Sequence, residues 1–188
     1  MRQSILPREF YFRDTVTVAR ELLGKRLVRV LDGAVLSGVI SETEAYGHAD
    51  DPASHAHRRR TGRNAAMFGQ AGRAYVYFTY GMHHCFNVVA RPPDVAAGAV
   101  LIRGMVPDEG IDMMVRNRGR DSNISDGPAK LAQAMCITRE QYGEDLTTYG
   151  GIHIEDSPGM TAGAIRASPR VGVRDARPWN FRFSCKVG

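Results

Sequence analysis

At 188 residues, 43% hydrophobic and 24% charged, the chain is long enough to bury one core and too short for two large domains, so a single domain over residues 1–188 is expected. No stretch approaches the roughly 20 apolar residues that span a bilayer as a helix, and the segment Met1 to Pro7 has no hydrophobic signal core; a soluble, cytoplasmic protein is expected. A net charge of +5 with a pI near 9.4 is compatible with an anionic partner such as nucleic acid, and because only Lys25, Lys130 and Lys186 are lysines, the charge is almost all arginine, which forks onto phosphate and supplies no neutral amine nucleophile.

Asp14 is placed to cap a helix over Thr15 to Leu23, with Val16, Ala19, Leu22 and Leu23 at helical spacing and Gly24 as its stop. A strand from Arg26 to Leu31 meets Asp32-Gly33, a two-residue hairpin signal, and a second strand runs from Val35 to Tyr46. Strict alternation on that second strand puts Ile40, Glu42, Glu44 and Tyr46 on one face. His48 to Gly72 turns polar and aperiodic, reading as a long surface loop with at most a short helix, and such loops are uncommon unless they serve a function. Ala74 to Thr79 and Cys85 to Ala90 read as strands joined by a tip at Tyr80-Gly81-Met82-His83, with a further strand from Gly98 to Met105. Asp108 is expected to cap a helix to about Arg116, and Pro128 to open another carrying Leu131, Ala134 and Met135. Gly151 to Glu155, Arg170 to Val173 and Phe181 to Cys185 read as closing strands, giving an α+β order without repeats. Cys85, Cys136 and Cys185 are odd in number and unpaired in spacing, so reduced, mostly buried thiols are expected rather than disulfides or a cysteine zinc site.

Within this frame Glu44 stands out, because a carboxylate among apolar strand neighbours is costly unless paired or employed. It reads equally as a rim carboxylate or an ion-pair partner, Glu42 competes with it, and Arg103 at the end of Ala99-Val100-Leu101-Ile102 is either its partner or a strand-end cap. The aromatic run Tyr75 to Tyr80 suits a sheet core, but Tyr80, next to Gly81-Met82 at a hairpin tip, has little core to join; a projecting apolar wedge of this kind enters base stacks. His48, Asp50, Asp51, His55 and His57 include potential metal ligands but match no strong ligand spacing, and the arginines from Arg58 to Arg63 fit either a solvated surface or phosphate contacts.

Five blocks in order, Leu6-Pro7-Arg8-Glu9-Phe10-Tyr11, Glu42-Thr43-Glu44-Ala45-Tyr46, Ala74-Tyr75-Val76-Tyr77 running into Tyr80-Gly81-Met82, Leu101-Ile102-Arg103 and Gly127-Pro128-Ala129-Lys130-Leu131, resemble the alkyladenine (3-methyladenine) DNA glycosylase family. The resemblance runs from near Leu6 to about Phe183. It implies one α+β domain around a curved antiparallel sheet, with flanking helices and a β-hairpin that enters the minor groove of double-stranded DNA. It further implies that Glu44 is the general base, and that Arg103 and the backbone carbonyl of Val171 help hold the water. Tyr46, His55 and Tyr77 then wall the flipped-base pocket and Asn87 sets its selectivity. Tyr80, with Met82 beside it, fills the gap left in the duplex, while Lys130 and Arg139 join Arg63 near the DNA backbone. After the wedge this chain reads His83-His84 where the family is more aromatic.

The activity implied is excision of alkylated or deaminated purines (3-methyladenine, 7-methylguanine, hypoxanthine, ethenoadenine) by hydrolysis, without cofactor, metal or strand cleavage, by a monomer in a bacterial cytoplasm. Two alternatives stay open on the sequence: a non-catalytic nucleic-acid-binding module, which has no need of Glu44, and a metal-dependent phosphodiesterase built on the histidines and aspartates from His48 to His57.

Overall fold

Asp32 and Gly33 both take positive φ, 50° and 81°, the backbone that a two-residue hairpin turn needs to match the twist of its strands. They join β1 (Arg26–Leu31) to β2 (Ala34–Tyr46) in the computed structural model, which describes residues 4–79, 81–157, 163–173 and 179–187. β2 is the spine of the fold. Along one edge it pairs with β5 (Ala99–Glu109); along the other it pairs first with β1 and then, opposite Glu42 to Glu44, with β8 (Arg182–Ser184). The hairpin of β3 (Ala74–Thr79) and β4 (His83–Val89) extends the sheet beyond β5. At the other side β6 (Ile152–Glu155) adds to β1, and β7 (Arg166–Ser168) pairs with β8. All these pairings are antiparallel and the sheet is strongly curled, giving a single α+β domain.

Among the described residues four short α-helices, α1 (Arg8–Tyr11), α2 (Thr15–Glu21), α3 (Ile111–Arg118) and α4 (Pro128–Ala134), accompany the sheet. The Asp14 carboxylate accepts from Thr17 N at 2.8 Å as the cap of α2, and Pro128 occupies the first turn of α4, where its missing N–H costs nothing. Leu22, Leu27, Leu36, Val76, Phe86, Val88, Val100, Ile102, Leu131 and Phe183 belong to the main core. A smaller one around Ala56, Met67, Tyr75, Val89 and Ala99 lies on the other side of β3, β4 and β5. No helix among the described residues is long and apolar enough to cross a membrane.

Four expectations need correction. Ile40 does not share a face with Glu42, Glu44 and Tyr46: the β2–β5 register slips between Ile40 and Thr43, so even-numbered Leu36 and Ile40 reach the core, and past the slip odd-numbered Ala45 does. A β-bulge of this kind changes which parity faces inward. Asp108 caps no helix; it lies inside β5, which pairs with β2 as far as Glu109, and its carboxylate is 3.0 Å from Arg26 Nε. Gly110, at φ 74°, makes the turn into α3 instead. Arg170 to Val173 is not a strand, because Arg170 is drawn inward and Gly172 takes φ 73°; the strand in that region is β7. Of the cysteines, all free, only Cys85 is buried, Cys185 is half-buried and Cys136 is exposed.

Candidate active site

The register of four strands assembles the site. Tyr75 lies opposite Asn87, Asn87 opposite Leu101, and Leu101 opposite Glu44, so the four side chains form a row across β3, β4, β5 and β2. At strand spacings of about 4.8 Å that row is roughly 14 Å wide. It faces away from the main core, because alternate residues Val76, Phe86, Val88, Val100 and Ala45 point the other way. The row faces a cavity of about 450 Å³, completed by Tyr46, His55, Tyr77, Cys85 and Arg103, by Pro128 and Ala129 at the start of α4, and by Val171 to Val173.

Glu44 is fully buried, which an isolated carboxylate does not tolerate, and three donors meet it. Val171 N–H donates to Oε1 at 2.8 Å and the Tyr46 hydroxyl to Oε2 at 2.8 Å, while Arg103 Nη1 lies 3.4 Å from Oε2. A carboxylate has about four lone-pair sites, so room for one further donor remains. The Tyr46 hydroxyl stays protonated, its pKa pushed far up by burial and then by the Glu44 charge beside it. Arg103 is held in turn by Glu42, whose Oε1 lies 2.5 Å from both Arg103 Nε and Arg182 Nε. Burial alone would raise the Glu42 carboxyl, but these two hydrogen bonds outweigh it and keep the pKa below the usual glutamate value.

The walls are aromatic. Tyr77 lies edge to face with His55, ring centroids 4.7 Å apart, and tilted against Tyr75 at 5.5 Å. Its hydroxyl, like that of Tyr75, is kept neutral chiefly by burial. His55, at the exposed rim, shares a 2.8 Å hydrogen bond between Nδ1 and Tyr75 Oη, and desolvation followed by the Arg63 charge lowers its pKa. Asn87 Nδ2 donates to the backbone carbonyl of Tyr75 at 2.9 Å and approaches that of Cys85 at 3.4 Å, so this amide is fixed in orientation.

A profile of the methylpurine-DNA glycosylase family matches residues 9–187. The chain belongs to the methylpurine-DNA glycosylase family. Three similar proteins carry the provisional name 3-methyladenine DNA glycosylase. That of Carboxydothermus hydrogenoformans is 45% identical over 97% of this chain and 95% of its own length. The Methanocella arvoryzae protein is 46% identical over 94% and 91%, and a Clostridium perfringens protein 42% identical over 96% and 95%.

In this methylpurine-DNA glycosylase family member, Glu44, Tyr46, His55, Tyr77, Asn87, Arg103 and Val171 all line one cavity. The group of Val171 bonded to Glu44 is its amide N–H. Met82 is exposed just beyond β3, and Tyr80 lies outside the described residues. The three cationic candidates sit outside the cavity lining. Arg63 extends over the Tyr77 ring at 5.4 Å, Lys130 pairs with Asp126 at 2.9 Å, and Arg139 bonds the Val76 carbonyl at 3.1 Å while covering Tyr142. Within the His48 to His57 segment Asp51 binds Arg170 and His55 binds Tyr75, and no metal-ligand cluster forms among the described residues.

Sequence reasoning overlooked Cys85, Leu101, Arg182 and the Asp51–Arg170 pair. Cys85 was findable, since it lies two residues before Asn87 on the same strand face. Asp51 and Arg170 are 119 residues apart, and nothing local to either points to the other.

Proposed function

We propose that this family member is a monofunctional DNA glycosylase that takes an alkylated or deaminated purine out of double-stranded DNA and hydrolyses its bond to deoxyribose with a water activated by Glu44. One observation carries the reading: a fully buried carboxylate, held by Val171 N–H, Tyr46 and Arg103, on the floor of an aromatic-walled cavity of about 450 Å³. A base inside the duplex cannot reach such a floor, so it must be flipped, and damaged bases that pair poorly cost least to extrude. Tyr77 and Tyr46 offer π faces, which favour electron-poor or cationic rings. As the glycosidic bond breaks, positive charge grows on the sugar; Glu44 stabilises it and takes the proton of the attacking water, while Arg103 keeps the carboxylate in place. Asn87, with its amide tied to two backbone carbonyls, cannot swing aside, which supports exclusion of normal guanine by crowding its exocyclic amino group.

No lysine is among the described residues lining the cavity. The proposed reaction therefore ends at an abasic site, without the amine adduct that strand cleavage by β-elimination would require. Arg63, Lys130, Arg139 and the hairpin tip at Tyr80 and Met82 are proposed to meet the duplex around the flipped nucleotide. The test is single-turnover release of base, in EDTA, from duplexes carrying hypoxanthine, ethenoadenine or methylated purines, with Glu44→Gln alongside. Release by the native protein that collapses in the variant, while lesion binding survives, is expected. Binding without release by either protein would replace this reading with that of a non-catalytic module.

A further inference from the structure

We propose that Asp51 and Arg170 are positioning residues, whose buried ion pair holds the Val171 N–H against Glu44 and so fixes the carboxylate that activates water. The inference rests on the glycosylase reading above. Val171 has little packing of its own to keep it there: the residue is 51% exposed, and Gly172 after it turns with φ 73°. The residue before it supplies the anchor. Arg170 is 7% exposed; its Nη1 lies 2.7 Å from Asp51 Oδ2 and its Nη2 2.8 Å from Oδ1, a bidentate fork, and Nη1 also reaches the Ala45 carbonyl at 2.9 Å.

The guanidinium also lies over the Tyr46 ring, 4.7 Å from its centroid, and 5.6 Å from that of Phe181. Asp51 is tied down separately, accepting from Gly47 N at 2.9 Å and Ala53 N at 3.1 Å. One ion pair thus joins the three segments that dress the carboxylate and the pocket wall: the end of β2 with Glu44 and Tyr46, the loop leading to His55, and Val171. Two of the three donors to Glu44, the Val171 amide and the Tyr46 hydroxyl, are carried by groups that Arg170 touches or adjoins. A buried ion pair is seldom a net gain in stability over a well-packed apolar pair, whereas a planar fork fixes direction as a greasy contact cannot.

The experiment compares native protein, Arg170→Lys and Arg170→Ala in single-turnover release of hypoxanthine from duplex DNA, alongside equilibrium binding of the same duplex. Arg170→Lys keeps the charge and loses the fork; its rate at saturating protein is expected to fall about 10-fold or more while Kd stays within about 3-fold. Arg170→Ala is expected to regain at least about 5-fold of its lost rate in millimolar methylguanidinium, with Kd unchanged. A folded Arg170→Lys protein with the native rate overturns the proposal, as does a rate loss matched by an equal loss of DNA affinity. Should Arg170→Ala not fold, the rate-against-Kd split in Arg170→Lys decides alone. Native protein that releases no base overturns the glycosylase reading and this proposal with it, whereas native release with an unimpaired Arg170→Lys overturns the proposal only.

Discussion

The two halves of β2 are built from one continuous strand and do opposite work. From Ala34 to Val39 it pairs with β1, and Leu36 and Ile40 face the main core. From Glu42 to Glu44 it pairs with β8, and Glu44 and Tyr46 turn to the cavity, where Glu44 shares Arg103 with Glu42. The register slip between Ile40 and Thr43 separates them. An uninterrupted strand would have committed one parity to the core throughout; the slip lets the same sheet be sealed at one end and chemically equipped at the other. On the proposed function, stability and activity are thereby assigned to different residues of a single element.

Substitutions in the two halves should part accordingly. The largest effect is expected from Glu44→Gln, a loss of roughly 10²- to 10⁴-fold in the single-turnover rate of base release, the usual range for a general base. Next is Ile40→Ala, which opens a cavity in the core half; it should cost about 2–5 kcal/mol in urea unfolding while the folded protein keeps its rate. If Ile40→Ala instead slows the chemistry at full occupancy of the folded state, the two halves are not independent. Tyr46→Phe removes one donor to Glu44 and keeps the ring, and should slow base release by roughly 10-fold with little change in unfolding.

The smallest effect is one of pH. Glu42 has its pKa lowered on folding, so the unfolded chain binds the proton more tightly; its contribution to stability is complete above the unfolded value of about 4.3 and is lost as pH falls through the folded one. Urea unfolding at pH 7, 5, 4 and 3 should show that decline, and Glu42→Gln should flatten it. An equal decline in the variant would assign the acid sensitivity to other carboxylates, Asp51 foremost, since its ion pair with Arg170 also holds its pKa low against the opposing pull of burial.

What could be read in advance follows the range of the forces involved. The Asp32-Gly33 turn, the Asp14 cap and Pro128 at the head of α4 are set by residues within a few positions of one another, and each was legible. The aromatic wall and Glu44 were legible as types out of place in a strand, and as parts of a family pattern. Other features depend on distant partners. The slip in β2 lies in its pairing with β5, a strand far along the chain, so alternation placed Ile40 on the wrong face. Asp108 was misread because an acidic residue before a helical stretch is the ordinary cap signal, while β2 keeps it extended. Arg170 to Val173 looked like a strand because Val171 and Val173 alternate, yet Arg170 is pulled inward by a carboxylate 119 residues away.

That distance also has a meaning in time. Glu44 and the amide that grips it are 127 residues apart, so at synthesis rates of about 5–20 residues per second a growing chain carries its carboxylate for roughly 6–25 s before the partner exists. The pairing of β1 with β2 is available from the start of that interval, and that of β3 with β4 from later within it. On the proposed mechanism, full competence for chemistry therefore arrives only with the docking of a late segment, and a chain caught before that moment holds a glutamate that Tyr46 and Arg103 can reach but that the Val171 amide does not yet grip.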